Sequence, residues 1–376
     1  MSVPVIGIVG ANGAVGRAAT QQLLSNGAWQ LRLGSRGPPV LRQELPTHGR
    51  LVETRHLDVM NAASLREFCT GCRVVVNCAG PSFQLLDIVA QSALRAGADY
   101  VDPGGDDPLH QRLAPLPIAC SGRTALLTAG MMPGISALLV RRLASHPDFR
   151  PCRLIAYVGG RGRISAASAL DYILSLGHDA EASLAIWRDG TRVPRAMRPR
   201  TDLEVPFFAP GATAYPYIGQ EIARVARVLG LAQVTWFNVF EGTHMIAALA
   251  RLQGAMSGAG DAAPAAADLA RAADLDLFGL TPYQLFYLRL DGEADGTPLS
   301  RSILLRGASA QELTGSMTAL TTESLLRNEI APGLHFAGEV LSTELLERLK
   351  SMCSITSYSE HTTTLESAAL AEEGAL

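Results

Sequence analysis

Lysine is almost missing from this chain: it occurs once in 376 residues, at Lys350, and every other basic residue but histidine is arginine. A mechanism that needs a lysine acid or a Schiff base must therefore use Lys350. A Tyr-x-x-x-Lys pair is excluded, because Leu346 stands four residues before it. Charge is scarce as well, at 18% of residues with a net charge of −3, and the arginines are scattered. That pattern argues against nucleic acid or an acidic membrane surface as a partner. No apolar run approaches the roughly 18 residues of a membrane span. The start, MSVPVIG, runs directly into an apolar strand without a basic stretch and cleavable segment, so a cytoplasmic protein is expected. Six cysteines include one C-x-x-C, Cys69 and Cys72, with no second pair and no histidine at ligand spacing. No metal is expected there; reduced thiols straddling a helix-to-strand loop are the reading, with a redox pair as the alternative.

What the chain has in quantity is apolar residues, 48%, and a length that suits about two domains. The organising stretch is Val3–Arg17, VPVIGIVGANGAVGR. Val5, Ile6, Ile8 and Val9 read as a strand buried on both faces. Gly10, Asn12, Gly13, Ala14, Val15 and Gly16 then form a glycine turn that opens a helix. Strand, glycine turn and helix make the entry unit of a dinucleotide-binding fold, in which backbone N–H groups and the helix N-terminus meet the pyrophosphate. The spacing is G-x-x-G-x-x-G, not the usual G-x-G-x-x-G.

Strand two, Trp29–Gly34, ends in Ser35 and Arg36 with no carboxylate to hold an unmodified ribose. Arg36 can meet a 2′-phosphate bidentately and Ser35 adds a donor, so NADP(H) is the expected cofactor. Leu51–Leu57 reads as strand three, followed by Asp58 and Val59; Asp58 either accepts the adenine amino group or caps the next helix. Arg73–Asn77 reads as strand four, opening into Cys78, Ala79, Gly80 and Pro81 at the strand end where such sheets place their ligands. Asp102 follows another short strand. Gly130 lies in the loop after Thr124–Thr128. The alternation predicts an α/β fold, a doubly wound parallel Rossmann sheet, over residues 1–147. Residues 148–330 predict a second, α+β substrate domain, with a hairpin turn at Asp189-Gly190, another at Asp295-Gly296, and an aromatic strand at Gln233–Phe240. Residues 331–376 read as a returning segment and, from Ser354 on, a mobile tail.

Four blocks, GANGAVGR at 10–17, VVVNCAGP at 74–81, YVDPGGD at 100–106 and AGMMPGIS at 129–136, resemble the signature blocks of saccharopine dehydrogenase-like NADP-binding oxidoreductases. The resemblance implies hydride transfer between a nicotinamide and a carbon–nitrogen bond. The YVDPGGD block lacks the lysine that amino-acid-handling members commonly carry. Compact stand-alone members serve siderophore and peptide assembly lines, where a thiazoline C=N becomes a thiazolidine. The implied partner is a small-molecule substrate, free or tethered to a carrier protein, with a homodimer as the assembly to test.

Hydride transfer to C=N also needs a proton for the nitrogen. His244, just after the aromatic strand, can give and regain one near neutral pH, or it can simply cap the next helix. Tyr172 is a second candidate, set among leucines that equally suggest core packing. Asp102 is a third, as an orienter of water or as an acceptor for the glycine turn after it. Tyr215 and Tyr217 either line a pocket or anchor a loop. Two competing readings are a carbonyl or semialdehyde oxidoreductase, with Cys78 or Cys120 as the thiol, and a non-catalytic NADP-binding sensor.

Overall fold

The computed structural model describes residues 3–26, 29–37, 52–201, 205–255 and 262–364. Each of its two units is built from two stretches of chain: 1–135 with 310–354, and 136–309 with the chain from 355 on. The first unit contributes β1 (Val5–Val9), β2 (Gln30–Ser35), β3 (Val52–His56), β4 (Val74–Asn77), β5 (Asp99–Val101) and β6 (Thr124–Leu127). The second contributes β7 (Phe149–Arg161), β8 (Ile186–Arg188), β9 (Thr191–Val193), β10 (Thr213–Pro216), β11 (Gln233–Phe240), β12 (Tyr283–Ala294) and β13 (Thr297–Gly307). The chain then returns to the first unit for β14 (Gly333–Phe336) and to the second for β15 (Ile355–Thr364).

In the first unit the strands form one parallel sheet in the order β14-β6-β5-β4-β1-β2-β3. Val74, Val75 and Val76 are fully buried, as are Ile6, Ile8 and Val9. Short β-branched runs of this kind suit strands covered on both faces. The order turns back at β1, which lies between β2 and β4, so the glycine turn sits at the topological switch point. Leu65, Phe68, Val89, Tyr100 and Leu109 share one core on this sheet.

The helix Ala310–Leu326 belongs to this unit, not to the substrate domain that the sequence boundaries of 148–330 assign it to. A Cβ at Gly315 would fall 2.5 Å from the Cβ of Ala18, so the glycine lets this helix touch the first helix, Ala14–Asn26. Thr318 and Thr322 turn their hydroxyls onto Thr314 O at 2.7 Å and Thr318 O at 2.8 Å. That is how a helix rich in threonine is buried nearly all round without stranding those donors. Glu323, fully buried, is held by Arg327 and Arg348.

The second unit is a mixed sheet, β15-β13-β12-β7-β11-β8-β9, with β10 paired to β11. Among these pairs β7 and β11 run parallel and the others antiparallel. Both Asp-Gly turns have positive φ at the two central residues, 50° and 80° at Asp189-Gly190 and 50° and 73° at Asp295-Gly296. That conformation matches the twist of a two-residue hairpin. The helices Ala166–His178, Thr243–Ala255 and Ala262–Leu277 share a separate core of Ile173, Leu176, Met245, Leu249 and Leu269.

Over residues 355–364 the expected mobile tail is instead a strand, β15; its remainder, 365–376, lies outside the described residues. Residues 355–364 pair with β13 along its length, and Glu360 meets Arg142 Nε at 3.0 Å. The stretch carries few apolar side chains because it is an edge strand, held by its backbone ladder and an ion pair. Among the described residues no helix is long and apolar enough to cross a membrane.

Candidate functional site

The glycine turn of the first unit is shaped by contacts that only glycine permits. Gly10 has φ +76°, and a Cβ there would lie 2.7 Å from Ala79 N and 2.8 Å from Cys78 O. The end of β1 thus lies directly against the loop after β4. A Cβ at Gly16 would stand 2.4 Å from Gly10 O, so the first helix starts in contact with the turn. Gly13 N donates to Gly10 O at 2.9 Å, while Gly10 N and Ala11 N donate to Gly34 O at 2.9 and 3.1 Å. Ala14 and Val15 open the helix, whose first-turn N–H groups have no intrahelical acceptor. Gly10, Asn12, Gly13, Ala14, Val15 and Gly16 are thereby gathered at one strand end, in a cradle that fits a pyrophosphate.

Cys78 N donates to Val9 O at 2.8 Å and Ala79 N to Asn77 Oδ1 at 3.2 Å, carrying Gly80 and Pro81 across the same edge. Beneath them Asp102, 2% exposed, accepts from Tyr100 Oη at 2.5 Å, Asn77 Nδ2 at 3.1 Å and Gly104 N at 2.9 Å. This carboxylate ties β4, β5 and the glycine loop together. It accepts from the glycine turn after it, which is one of the two alternatives the sequence leaves open for it. Burial, and then the charge of Asp102, hold the Tyr100 phenol well above its usual range. The same two causes push the Cys78 thiol up. Gly130 is likewise committed internally. Its N–H donates to Pro133 O at 3.1 Å, and a Cβ would lie 2.5 Å from Pro103 O.

At the end of β2, Ser35 Oγ donates to Gly37 O at 3.1 Å. Arg36 is exposed and forms no ion pair among the described residues. Pro38 and Pro39, part of the same expected loop, lie outside the described residues. Asp58 does not cap the helix Ala62–Cys69: Asn61 does, accepting from Ala63 N and Ser64 N. Asp58 Oδ1 instead accepts from Met60 N at 3.0 Å, and Val59 packs on the core below. Cys69 and Cys72 are free and buried at the end of that helix.

In the second unit, His244 is the second residue of the helix Thr243–Ala255 and is exposed. Asp276, which the sequence reading did not single out, accepts from His244 N at 3.2 Å and Met245 N at 2.7 Å. The same carboxylate pairs with His244 Nδ1 at 2.8 Å. Gly242, at φ +95°, allows this, since a Cβ there would be 2.2 Å from Asp276 Cγ. The helix cap is therefore Asp276 and not His244, whose ring is left oriented by a carboxylate. Tyr172 is half-buried on the helix Ala166–His178 against that core, as the core-packing alternative had it. Glu241 is buried; it accepts from Tyr283 Oη and Ala209 N, with Arg161 at 3.6 Å. The sequence reading missed Glu241 too, because its partners come from three separate segments.

Residues 6–115 match the family model of the saccharopine dehydrogenase NADP binding domain. No curated protein matches the sequence. Among solved structures the chain is similar to apo saccharopine dehydrogenase (L-Glu forming) from Saccharomyces cerevisiae. That match has 17% identity and a TM-score of 0.66, over 96% of this chain and 100% of the other. It is also similar to homospermidine synthase from Legionella pneumophila in complex with NAD, at 11% identity and a TM-score of 0.58, over 96% and 92%. At such identities the likeness is one of fold. The family match and the glycine cradle agree on one stretch: residues 6–115 match an NADP-binding domain of the saccharopine dehydrogenase type, and over the whole chain the likeness to saccharopine dehydrogenase is one of fold.

Proposed function

We propose that the protein is a cytoplasmic NADPH-dependent reductase of a C=N bond. Its substrate is a cyclic imine such as a thiazoline, reduced to a thiazolidine during siderophore or peptide assembly, free or tethered to a carrier protein. The observation that carries this reading is the pairing of His244 with Asp276. Reduction of C=N needs a hydride at carbon and a proton at nitrogen. The glycine cradle would hold NADPH, with Arg36 meeting its 2′-phosphate, and the bound cofactor would supply the hydride. His244 supplies the proton, with Asp276 fixing its Nδ1 side so that Nε2 points away from the carboxylate. Tyr172, whose phenol is pushed up by burial, stays protonated at working pH.

The semialdehyde alternative needs an activated thiol, and the thiols argue against it. Cys78 is pushed away from thiolate by burial, and Cys120 lies exposed on a short 3-10 turn. Incubating the protein with NADPH and a panel of thiazolines, cyclic imines and aldehydes, while following NADPH absorbance, tests the reading. Consumption with imines is expected; consumption with aldehydes alone would replace it by carbonyl reduction.

A further inference from the structure

Three tyrosines and a phenylalanine meet at the carboxyl end of β11. Tyr215 and Tyr172 both approach Phe240 edge-on, with ring centroids at 5.7 and 6.2 Å. Tyr217 joins them on the same helical core, and all four rings are half-buried. Asn238 is the direct cross-strand partner of Tyr215, so the two side chains stand on one face of the sheet. Asn238 is 7% exposed, and its Oδ1 has no hydrogen-bond partner. Among the described residues the hydroxyls of Tyr172 and Tyr215 also make no hydrogen bond. A buried amide oxygen left without a donor is uncommon in folded proteins and calls for an explanation. Here it stands across the strand pair from the unengaged phenol of Tyr215, two residues along the strand from Phe240, on which the ring of Tyr172 also packs edge-on.

We infer that this cluster is a substrate subsite for a neutral aryl or heteroaryl group bearing an N–H or O–H donor, with Asn238 accepting that donor and the hydroxyls of Tyr172 and Tyr215 bonding its acceptor. Neutrality follows from the partners on offer, two phenols and a carboxamide, because a buried ligand charge needs an opposite charge. Burial, and then the neighbouring Tyr217 and Tyr215, push the Tyr172 phenol up, which keeps it a donor. The inference rests on reading the second unit as the substrate domain. It adds to the proposed reaction the character of one group on the substrate.

The test titrates the full-length protein, with and without NADPH, with benzamide, benzoate and benzylammonium by calorimetry or ligand-observed NMR. Benzamide should bind at least about tenfold more tightly than either ion. Tyr172→Phe and Tyr215→Phe keep the ring and remove only the hydroxyl. Each should raise the benzamide Kd about three- to tenfold, with melting temperatures checked alongside. Absent benzamide binding, a Kd unchanged in both variants, or benzoate binding as tightly as benzamide would overturn the subsite. Benzamide binding that responds to the variants, without NADPH consumption by any imine, would keep the subsite and remove the C=N reading. Imine turnover indifferent to both variants would do the reverse.

Discussion

Asp276 grips His244 twice, by the backbone N–H at 3.2 Å and by ring Nδ1 at 2.8 Å, through one carboxylate oxygen. The grip fixes the ring on the helix that carries it. Replacing His244 by Gln should lower kcat for imine reduction by about two to four orders of magnitude, the usual share of a general acid. Asp276→Asn keeps a cap for the helix but loses the charged partner, so kcat should fall by about tenfold or more while the KM for NADPH stays put. Steady-state kinetics of both variants, with NADPH binding measured separately, checks this.

Arg36 should decide between the two nicotinamide cofactors. It stands exposed at the end of β2 without a carboxylate beside it. Charge-assisted bonds to a phosphate contribute about 1.5–3 kcal/mol. NADPH should therefore be preferred over NADH by about one to two orders of magnitude. Arg36→Ala should raise the NADPH KM by a similar factor and leave NADH nearly untouched. Equal losses for both cofactors would assign Arg36 a structural task.

Alkylation should separate imine reduction from thiol chemistry. Cys120, Cys152 and Cys353 are exposed, although partial burial raises the Cys152 thiol, whereas Cys69 and Cys72 are buried and burial raises their thiols and that of Cys78. Iodoacetamide should label the first three and leave imine reduction intact, as read by mass spectrometry and NADPH consumption. Loss of turnover on labelling would return the acylating-thiol reading.

Stability should fall on the alkaline side. Burial raises the Tyr100 and Tyr283 phenols, and pushes the Cys69 thiol up to about 11. Each folded-state value lies above the unfolded one, so the folded chain keeps protons that the unfolded chain has released. The stabilisation is complete below the unfolded values, about 8.5 for thiols and about 10 for phenols, and is lost as pH rises past them. Urea unfolding at pH 8, 9 and 10.5 should show ΔG falling over that series. Tyr100→Phe should flatten the fall, at a cost of about 1–3 kcal/mol at neutral pH from the donor Asp102 loses.

The parts legible in the sequence were those written in local periodicity. β11 spans Gln233–Phe240 as its aromatic run predicts, and both Asp-Gly turns close hairpins. The cradle glycines also carry their own signal, because Gly10 and Gly16 are demanded by backbone contacts a few residues away. β15 left little trace, since it is a polar edge strand; the helix Ala310–Leu326 is written in its sequence over Leu313–Leu326, but its return to the first unit is not, because that depends on contacts with residues about 300 positions earlier. Asp276 was invisible for a different reason. Its partners lie 31 and 32 residues earlier, and Asp276 itself stands in a run of alanine, leucine and aspartate where nothing marks one carboxylate from the next.

The two-stretch construction of each unit has a consequence for synthesis. β14 is the edge of the first sheet, and the helix Ala310–Leu326 lies against the first helix. A ribosome must therefore release nearly the whole chain before the nucleotide-binding sheet can close. The ladder from β8 through β7 to β13 needs nothing beyond Gly307 and can assemble earlier. The N-terminal stretch, first to emerge, would wait as an open-edged sheet for β14, and only β15, which completes the second sheet, comes later.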